Sequence, residues 1–316
     1  MKPLRLLAMI FCFSLLLSTS GCFEEEEEII DKGPGPEVLA EKALEKLKDE
    51  PFDPSGWETV ENPQGYGSPH AKKGGLLKVY CPEYPATLSP VGPNSRHSII
   101  SRMNGLVGER LLMRDQRTNR YKPWLASHWK ISEDGKFYWY RIDPRARWAD
   151  GKPVTALDVV ESFKLLSDKR VRSAWHNSFW PKNFELPVAL TRDVVRFEVK
   201  DPSRLKHIYL SGGLLILPAH QIMGDYVHSK FYRLFNWKYY AGSGPYELDY
   251  TRRGRNVTFI RRKDWWAEDL PQFQGCYNFK RIKFIVVKDE NLTFEKFKKG
   301  ALDVYVVNIA KRWAKE

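Results

Sequence analysis

Seven histidines, four cysteines and 39 carboxylates are the residues of this 316-residue chain that could carry chemistry. The histidines stand at 70, 97, 128, 176, 207, 220 and 228, and none forms His-x-x-x-His or joins a cysteine at ligand spacing. The chain therefore lacks the local pattern of a metal centre. No glycine-rich phosphate loop, Gly-x-Ser-x-Gly elbow or Cys-x-x-Cys is present, and isolated Asp/Glu pairs are no evidence of glycosidase or protease work. These residues give no sign of an enzyme and call for no cofactor.

The elements that would position a binding site are mixed. Leu76 to Cys81, Phe137 to Ile142, Val194 to Lys200, Val257 to Ile260, Ile282 to Val287 and Leu302 to Val307 carry strand patterns. Ser98 to Leu112, the stretch after Thr155 and Leu292 to Lys299 carry helical spacing. Thr155 followed by Asp158 fits a helix cap, and Asp150-Gly151 fits a tight turn. Trp148, just before that turn, is expected as a core anchor, and His220 as a helix-start residue. There is neither an internal repeat nor a regular β-α alternation, so the class is α/β, or mixed α+β, with at least two lobes. Of the hydrophobic 42%, 11 Trp, 15 Tyr and 17 Phe suffice for more than one core.

Charge divides the chain. Residues 1–69 hold 6 Lys/Arg against 14 Asp/Glu, and the remainder holds 45 against 25. Lys2 and Arg5 precede an apolar run from Leu6 to Leu17, too short to span a bilayer. Ser20-Gly21-Cys22 then resembles a bacterial lipobox, with Thr19 where an aliphatic residue is usual. Residues 1–22 are thus expected as a lipoprotein signal peptide with Cys22 lipidated. Residues 23–72, with the Glu24 to Glu28 run, are expected as an acidic tether with a short surface helix or stalk in 37–50. Cys81 and Cys276 are expected as buried free thiols, with a disulfide as the lesser reading. The crowd of Arg252, Arg253, Arg255, Arg261, Arg262 and Lys263 reads first as the solvated face of a strand pair. Contact with an anionic lipid or solute is the second reading. Nucleic acid is set aside, because an exported protein rarely meets it.

Several patterns recur in one order: Pro123-Trp124-Leu125-Ala126-Ser127-His128-Trp129, Trp148-Ala149-Asp150-Gly151-Lys152-Pro153-Val154-Thr155-Ala156-Leu157-Asp158-Val159, Gly242-Ser243-Gly244-Pro245-Tyr246, Asp264-Trp265-Trp266 and Gly300-Ala301-Leu302-Asp303-Val304. This order resembles the family 5 extracellular solute-binding proteins, the peptide- and nickel-binding receptors of ABC importers. It is closest in flavour to the oligopeptide and microcin C uptake subgroup, over about residues 73–314. Ile142-Asp143, where many members have Leu-Arg, is a departure, as is Trp266 in place of a common Tyr-Trp pairing.

The resemblance implies lobes of the type II periplasmic-binding-protein class: 73–105 as the first part of lobe I, 106–240 as an accessory lobe, 241–316 as an incomplete second part of lobe I. In relatives the opposing ligand-gripping lobe follows the segment that here reads 303–314, so only the amino-terminal part of a receptor is expected. It also implies a peptide or peptide-like solute, ABC permease partners and an extracytoplasmic, lipid-anchored location. The loop after the first strand borders the cleft in the family, which makes Tyr84, Thr87 and Leu88 candidate contacts. Trp175, Phe179 and Trp180 are candidates for a cleft wall, with core as the stronger reading. An envelope lipoprotein using the scaffold as an interaction or sensing module is the alternative function.

Overall fold

The computed structural model describes residues 33–203 and 207–307. The leader, Cys22 and the glutamate run lie outside them. In chain order the elements are α1 (Pro36–Leu44), β1 (Leu76–Cys81), α2 (Ser98–Val107), β2 (Leu112–Arg114), β3 (Tyr121–Pro123), β4 (Ala126–Ile131) and β5 (Phe137–Ile142). They continue with α3 (Ala156–Ser167), α4 (Ala174–Asn183), β6 (Val188–Ala189), β7 (Val194–Glu198), α5 (His207–Gly212), α6 (Ala219–Ile222) and α7 (Asp225–Phe235). The last are β8 (Tyr246–Arg252), β9 (Asn256–Arg261), β10 (Arg281–Val286) and α8 (Glu290–Lys298).

Two four-stranded sheets each carry a core. The first has the order β1-β10-β9-β8, with β1 parallel to β10 and the other pairs antiparallel. Helix α2 covers it, because Ile99, Ile100, Met103 and Val107 recur at helical spacing and are all buried against Tyr246, Phe259 and Phe284. The second sheet is antiparallel, order β4-β5-β7-β6. In β5 Tyr138, Tyr140 and Ile142 alternate inward, where Phe163 of α3, Phe197 of β7 and Trp148 pack with them. Trp148 is fully buried, the core anchor expected of it.

Helix α3 begins as the sequence indicates. Asp158 Oδ2 accepts from the Thr155 amide at 2.6 Å and from Thr155 Oγ1 at 3.0 Å. Its other oxygen accepts from the Ala219 amide at 2.6 Å, so one buried carboxylate serves the starts of both α3 and α6. Burial pushes Asp158 up to about 6 in spite of these bonds. Helix α1 docks through Ala40 against Leu157 and Ala219, a surface helix and not a stalk.

Two expectations need correction. The helix from Ser98 ends at Val107, because Gly108 is extended and the chain peels away into β2. Leu302 to Val307 forms no strand: Val304 makes a lone bridge to Val79, while the Asp303 carboxylate takes the Lys78 amide at 2.7 Å.

The two cores meet where residues 242–244 cross the end of α2. The Gly244 amide donates to the Val107 carbonyl at 2.8 Å, and a Cβ on Gly242 would stand 2.1 Å from that same oxygen. Only glycine permits this approach. Arg262, almost wholly buried, donates through Nη1 to the carbonyls of Gly242 and Gly244 at 3.1 and 3.2 Å. Ser243 Oγ accepts from the Glu109 amide at 3.1 Å. The Glu109 carboxylate is buried and accepts from the indoles of Trp265 at 3.1 Å and Trp266 at 2.9 Å. Burial raises its pKa to about 7, against the indole donors that favour the charged form.

Two outcomes follow from this packing. Trp148→Ala removes the largest fully buried side chain and should cost about 3–5 kcal/mol, lowering the melting temperature by roughly 10 °C. Glu109 has a folded pKa above its ordinary value, so its contribution to stability is full in acid and is lost as pH rises through about 7. Glu109→Gln should therefore reduce the fall in stability between pH 5 and pH 8 by roughly 3 kcal/mol, read from chemical denaturation at each pH. An unaltered slope would show that Glu109 is ionised throughout.

Candidate functional site

A cleft of about 740 Å³ opens between α2, the β2–β3 hairpin, α4 and the turn after α5. The hairpin is held rigid at its base by the buried Asp115, which pairs with the Lys122 ammonium and accepts from the Arg117 and Thr118 amides at 2.8 and 3.1 Å. The Lys122 partner holds the Asp115 carboxyl well below the usual carboxylate range. Helix α4 supplies an aromatic wall. Trp175, 40% exposed, stacks on Phe179 at 4.5 Å with an interplanar angle of 11°. Phe179 meets Trp180 edge-on at 5.2 Å, and Trp180 continues into the core against Phe163 and Phe184.

Three arginines line the same cleft: Arg96 from the loop before α2, Arg110 from the segment after it and Arg114 from the end of β2. The Arg96 guanidinium lies 5.2 Å over the Trp175 ring. Arg110 Nη1 donates to the Gly213 carbonyl. His176, bonded through Nδ1 to Ser173 Oγ at 2.8 Å, is lowered to about 4 by burial and by the charges of Arg96 and Arg110. It is neutral near pH 7. Among the described residues the lining contains no Asp or Glu.

The four side chains singled out in the sequence do not converge. Trp180 lines the cleft while lying mostly in the core, 4% exposed. Thr87 and Leu88 are fully buried. Thr87 Oγ1 donates to the Asn236 carbonyl at 3.1 Å, and Leu88 packs into the first core. The loop is thereby fastened to the end of α7, and it reaches the cleft through Pro90, Ser95 and Arg96 instead. Tyr84 stacks on the exposed Trp237 at 5.5 Å, away from the cleft lining. The arginines were missed, since they are scattered through the basic part of the sequence and only folding collects them.

The basic crowd at 252–263 also divides. Arg252, Arg253 and Arg255 are exposed at the β8–β9 turn, as the solvated-face reading expects, but Arg262 is buried and Arg261 pairs with Glu268 at 2.7 Å. Cys81 and Cys276 are free thiols. Burial pushes Cys81 up to about 11, while Cys276 is only half-buried. Among the described residues no group of three His, Cys, Asp or Glu could hold a metal ion. No described helix is long and apolar enough to cross a membrane.

The wall and the core can be told apart by truncation. Trp180→Ala should cost about 3–5 kcal/mol of stability, and Trp175→Ala about 1 kcal/mol, both read from denaturant unfolding. Equal costs would mean that Trp175 is a core residue.

The family model of bacterial extracellular solute-binding proteins, family 5 (middle), matches residues 120–316. Among curated relatives, the peptidoglycan-binding protein YepA of Agrobacterium fabrum is 30% identical over 253 residues, covering 76% of this chain and 39% of that protein. The probable peptide-binding protein YejA of the same organism is 33% identical over 177 residues, 55% of this chain and 28% of that one. Thus the chain spans between a quarter and two-fifths of these relatives. The oligopeptide-binding protein AppA of Bacillus subtilis, solved with a nonapeptide, superposes with a TM-score of 0.62 at 21% identity over 73% of this chain and 44% of its own. NikA of Brucella suis, solved with Fe(III)-EDTA, gives 0.57 at 20% over 72% and 42%. The fold is that of the type II periplasmic binding proteins, in its mixed α/β form, and the chain belongs to the bacterial extracellular solute-binding proteins of family 5.

Proposed function

We propose that the protein is a receptor that captures peptides or peptide-like solutes outside the cytoplasm and delivers them to an ABC permease, held to the membrane by a lipid on Cys22. The observation that carries this reading is the cleft. Its volume of about 740 Å³ falls in the range of ligand sites, and it combines an aromatic wall with polar groups that can fix orientation. The half-exposed Trp175–Phe179 stack offers an apolar surface for a side chain. The names of the relatives YejA and YepA and the nonapeptide held by AppA point to the same class of solute. In this reading the first core, from 73–105 and 241–316, belongs to one lobe, the second, from 106–240, to an accessory lobe, and Tyr84, Thr87 and Leu88 shape the loop without reaching the solute.

Two measurements test it. Calorimetric titration of the full chain with a pooled tri- to octapeptide library should show saturable binding that Trp175→Ala weakens about tenfold. Absence of heat across the pool would overturn the peptide reading. For the anchor, metabolic labelling with a fatty acid should mark the wild type and leave Cys22→Ala unlabelled; equal labelling of both would remove Cys22 from the proposal.

A further inference from the structure

We infer that the cleft face of α2 reads the main chain of an extended peptide: Asn104 exchanges hydrogen bonds with the N–H and C=O of one solute residue, and Gly105 lets that backbone come close. This rests on the peptide reading above and deepens it. Ser101, Asn104, Gly105 and Gly108 stand at i, i+3, i+4 and i+7 along α2 and its cap, and all four line the cleft. The other face buries Ile99, Ile100, Met103 and Val107 in the first core. The helix thus turns its bulk to the core and its small residues to the cleft.

Asn104 is the polar group on that face. It is 8% exposed, and among the described residues neither Oδ1 nor Nδ2 of its carboxamide has a hydrogen-bond partner. A buried amide left unbonded costs stability, so the fold gains nothing from it. The carboxamide holds an acceptor and two donors in one plane. An extended residue presents its own N–H and C=O on one side, as facing residues do when they exchange both bonds in an antiparallel sheet. The side chains next to it then point the other way, where the Trp175–Phe179 stack can take one.

Gly105 is the second observation. Inside a helix glycine is less favourable than alanine, so its presence needs a reason. At Gly108 a Cβ would stand 2.7 Å from the Tyr240 hydroxyl, and at Gly242 it would strike the Val107 carbonyl. A Cβ on Gly105 would meet no described atom within 4 Å. The packing of the fold therefore does not ask for glycine here. Close approach of another backbone from the cleft does.

The full chain is titrated calorimetrically with acetyl-Ala-Phe-Ala-Phe-amide and with depsipeptides in which one internal amide N–H at a time is replaced by an ester oxygen. One ester should bind about tenfold more weakly than the parent, because it leaves Asn104 Oδ1 unpaired. Asn104→Leu should weaken the parent about tenfold and bind parent and ester alike. Gly105→Leu should weaken binding tenfold or more while melting at or above the wild-type temperature, since leucine is the better helix former. Thermal melts establish that both variants fold, and the ester series on the wild type needs neither. Equal affinity for the parent and every ester would overturn main-chain reading and leave the peptide reading standing. An ester effect that survives in Asn104→Leu would remove Asn104 from the pairing. Wild-type affinity in Gly105→Leu would overturn the close approach. Tighter binding of acetyl-Ala-Gln-Ala-Phe-amide with no ester effect would assign Asn104 to a solute carboxamide side chain and overturn the inference. Binding of no peptide at all would remove the peptide reading itself, and this inference with it.

Discussion

The close crossing of residues 242–244 over the end of α2 is the constraint on which the rest of the structure depends. The Val107 carbonyl lies so near the backbone there that a Cβ at Gly242 or Gly244 has no room. The contact fixes where α2 ends, and so where the chain leaves it toward Glu109, Arg110 and the β2–β3 hairpin. Arg262 locks the crossing through two carbonyls, both reached from Nη1, while its Nε donates to Asp264 at 3.2 Å. The Ala149 amide, one residue past Trp148, donates to the Gly242 carbonyl at 2.9 Å, tying the second core to the same point.

Buried carboxylates do much of the remaining positioning. Asp158 joins the starts of α3 and α6, Asp115 closes the hairpin turn, and Glu109 binds two tryptophans from beyond β9. Each is a short-range strong acceptor placed where backbone or indole donors would otherwise be unsatisfied. Two of the three are shifted toward the neutral form, because burial outweighs the donors. Asp115 goes the other way, since a full cation stands beside it.

These fixtures leave the cleft with a particular chemistry. Among the described residues Glu109 and Asp115 are folded into the scaffold, and Arg96, Arg110 and Arg114 lie on the lining, Arg110 bonded to the Gly213 carbonyl. The aromatic ladder from Trp175 through Phe179 to Trp180 grades from half-exposed surface into core, so the wall that meets solvent is backed by rigid packing. A wall backed by packed core favours recognition by shape with little ordering cost on the protein side.

Much of the scaffold was legible in the sequence. β1 and β5 fall at the residues expected, as does the start of α3, and β7, β9, β10 and α8 lie within two residues of their expected bounds. Alternation, helical spacing and caps act over a few residues, and therefore survive in the sequence. The ordered motifs around Trp148 and Gly242 also identified the family, because turn and crossing geometry admit few residue types. What only the tertiary structure decided depends on contacts far apart in the chain. Helix α4 buries just Trp180 and shows no apolar face to read. Arg262 looks like its exposed neighbours until the crossing covers it. Glu109 meets Trp265 and Trp266 across more than 150 residues, and the cleft draws Arg96, Arg110 and Trp175 from separate elements. Thr87 and Leu88 looked available as loop residues, but bonding and packing against α7 and the first core turned them inward. Local sequence sets which elements form, and topology alone sets which side chains those elements bring face to face.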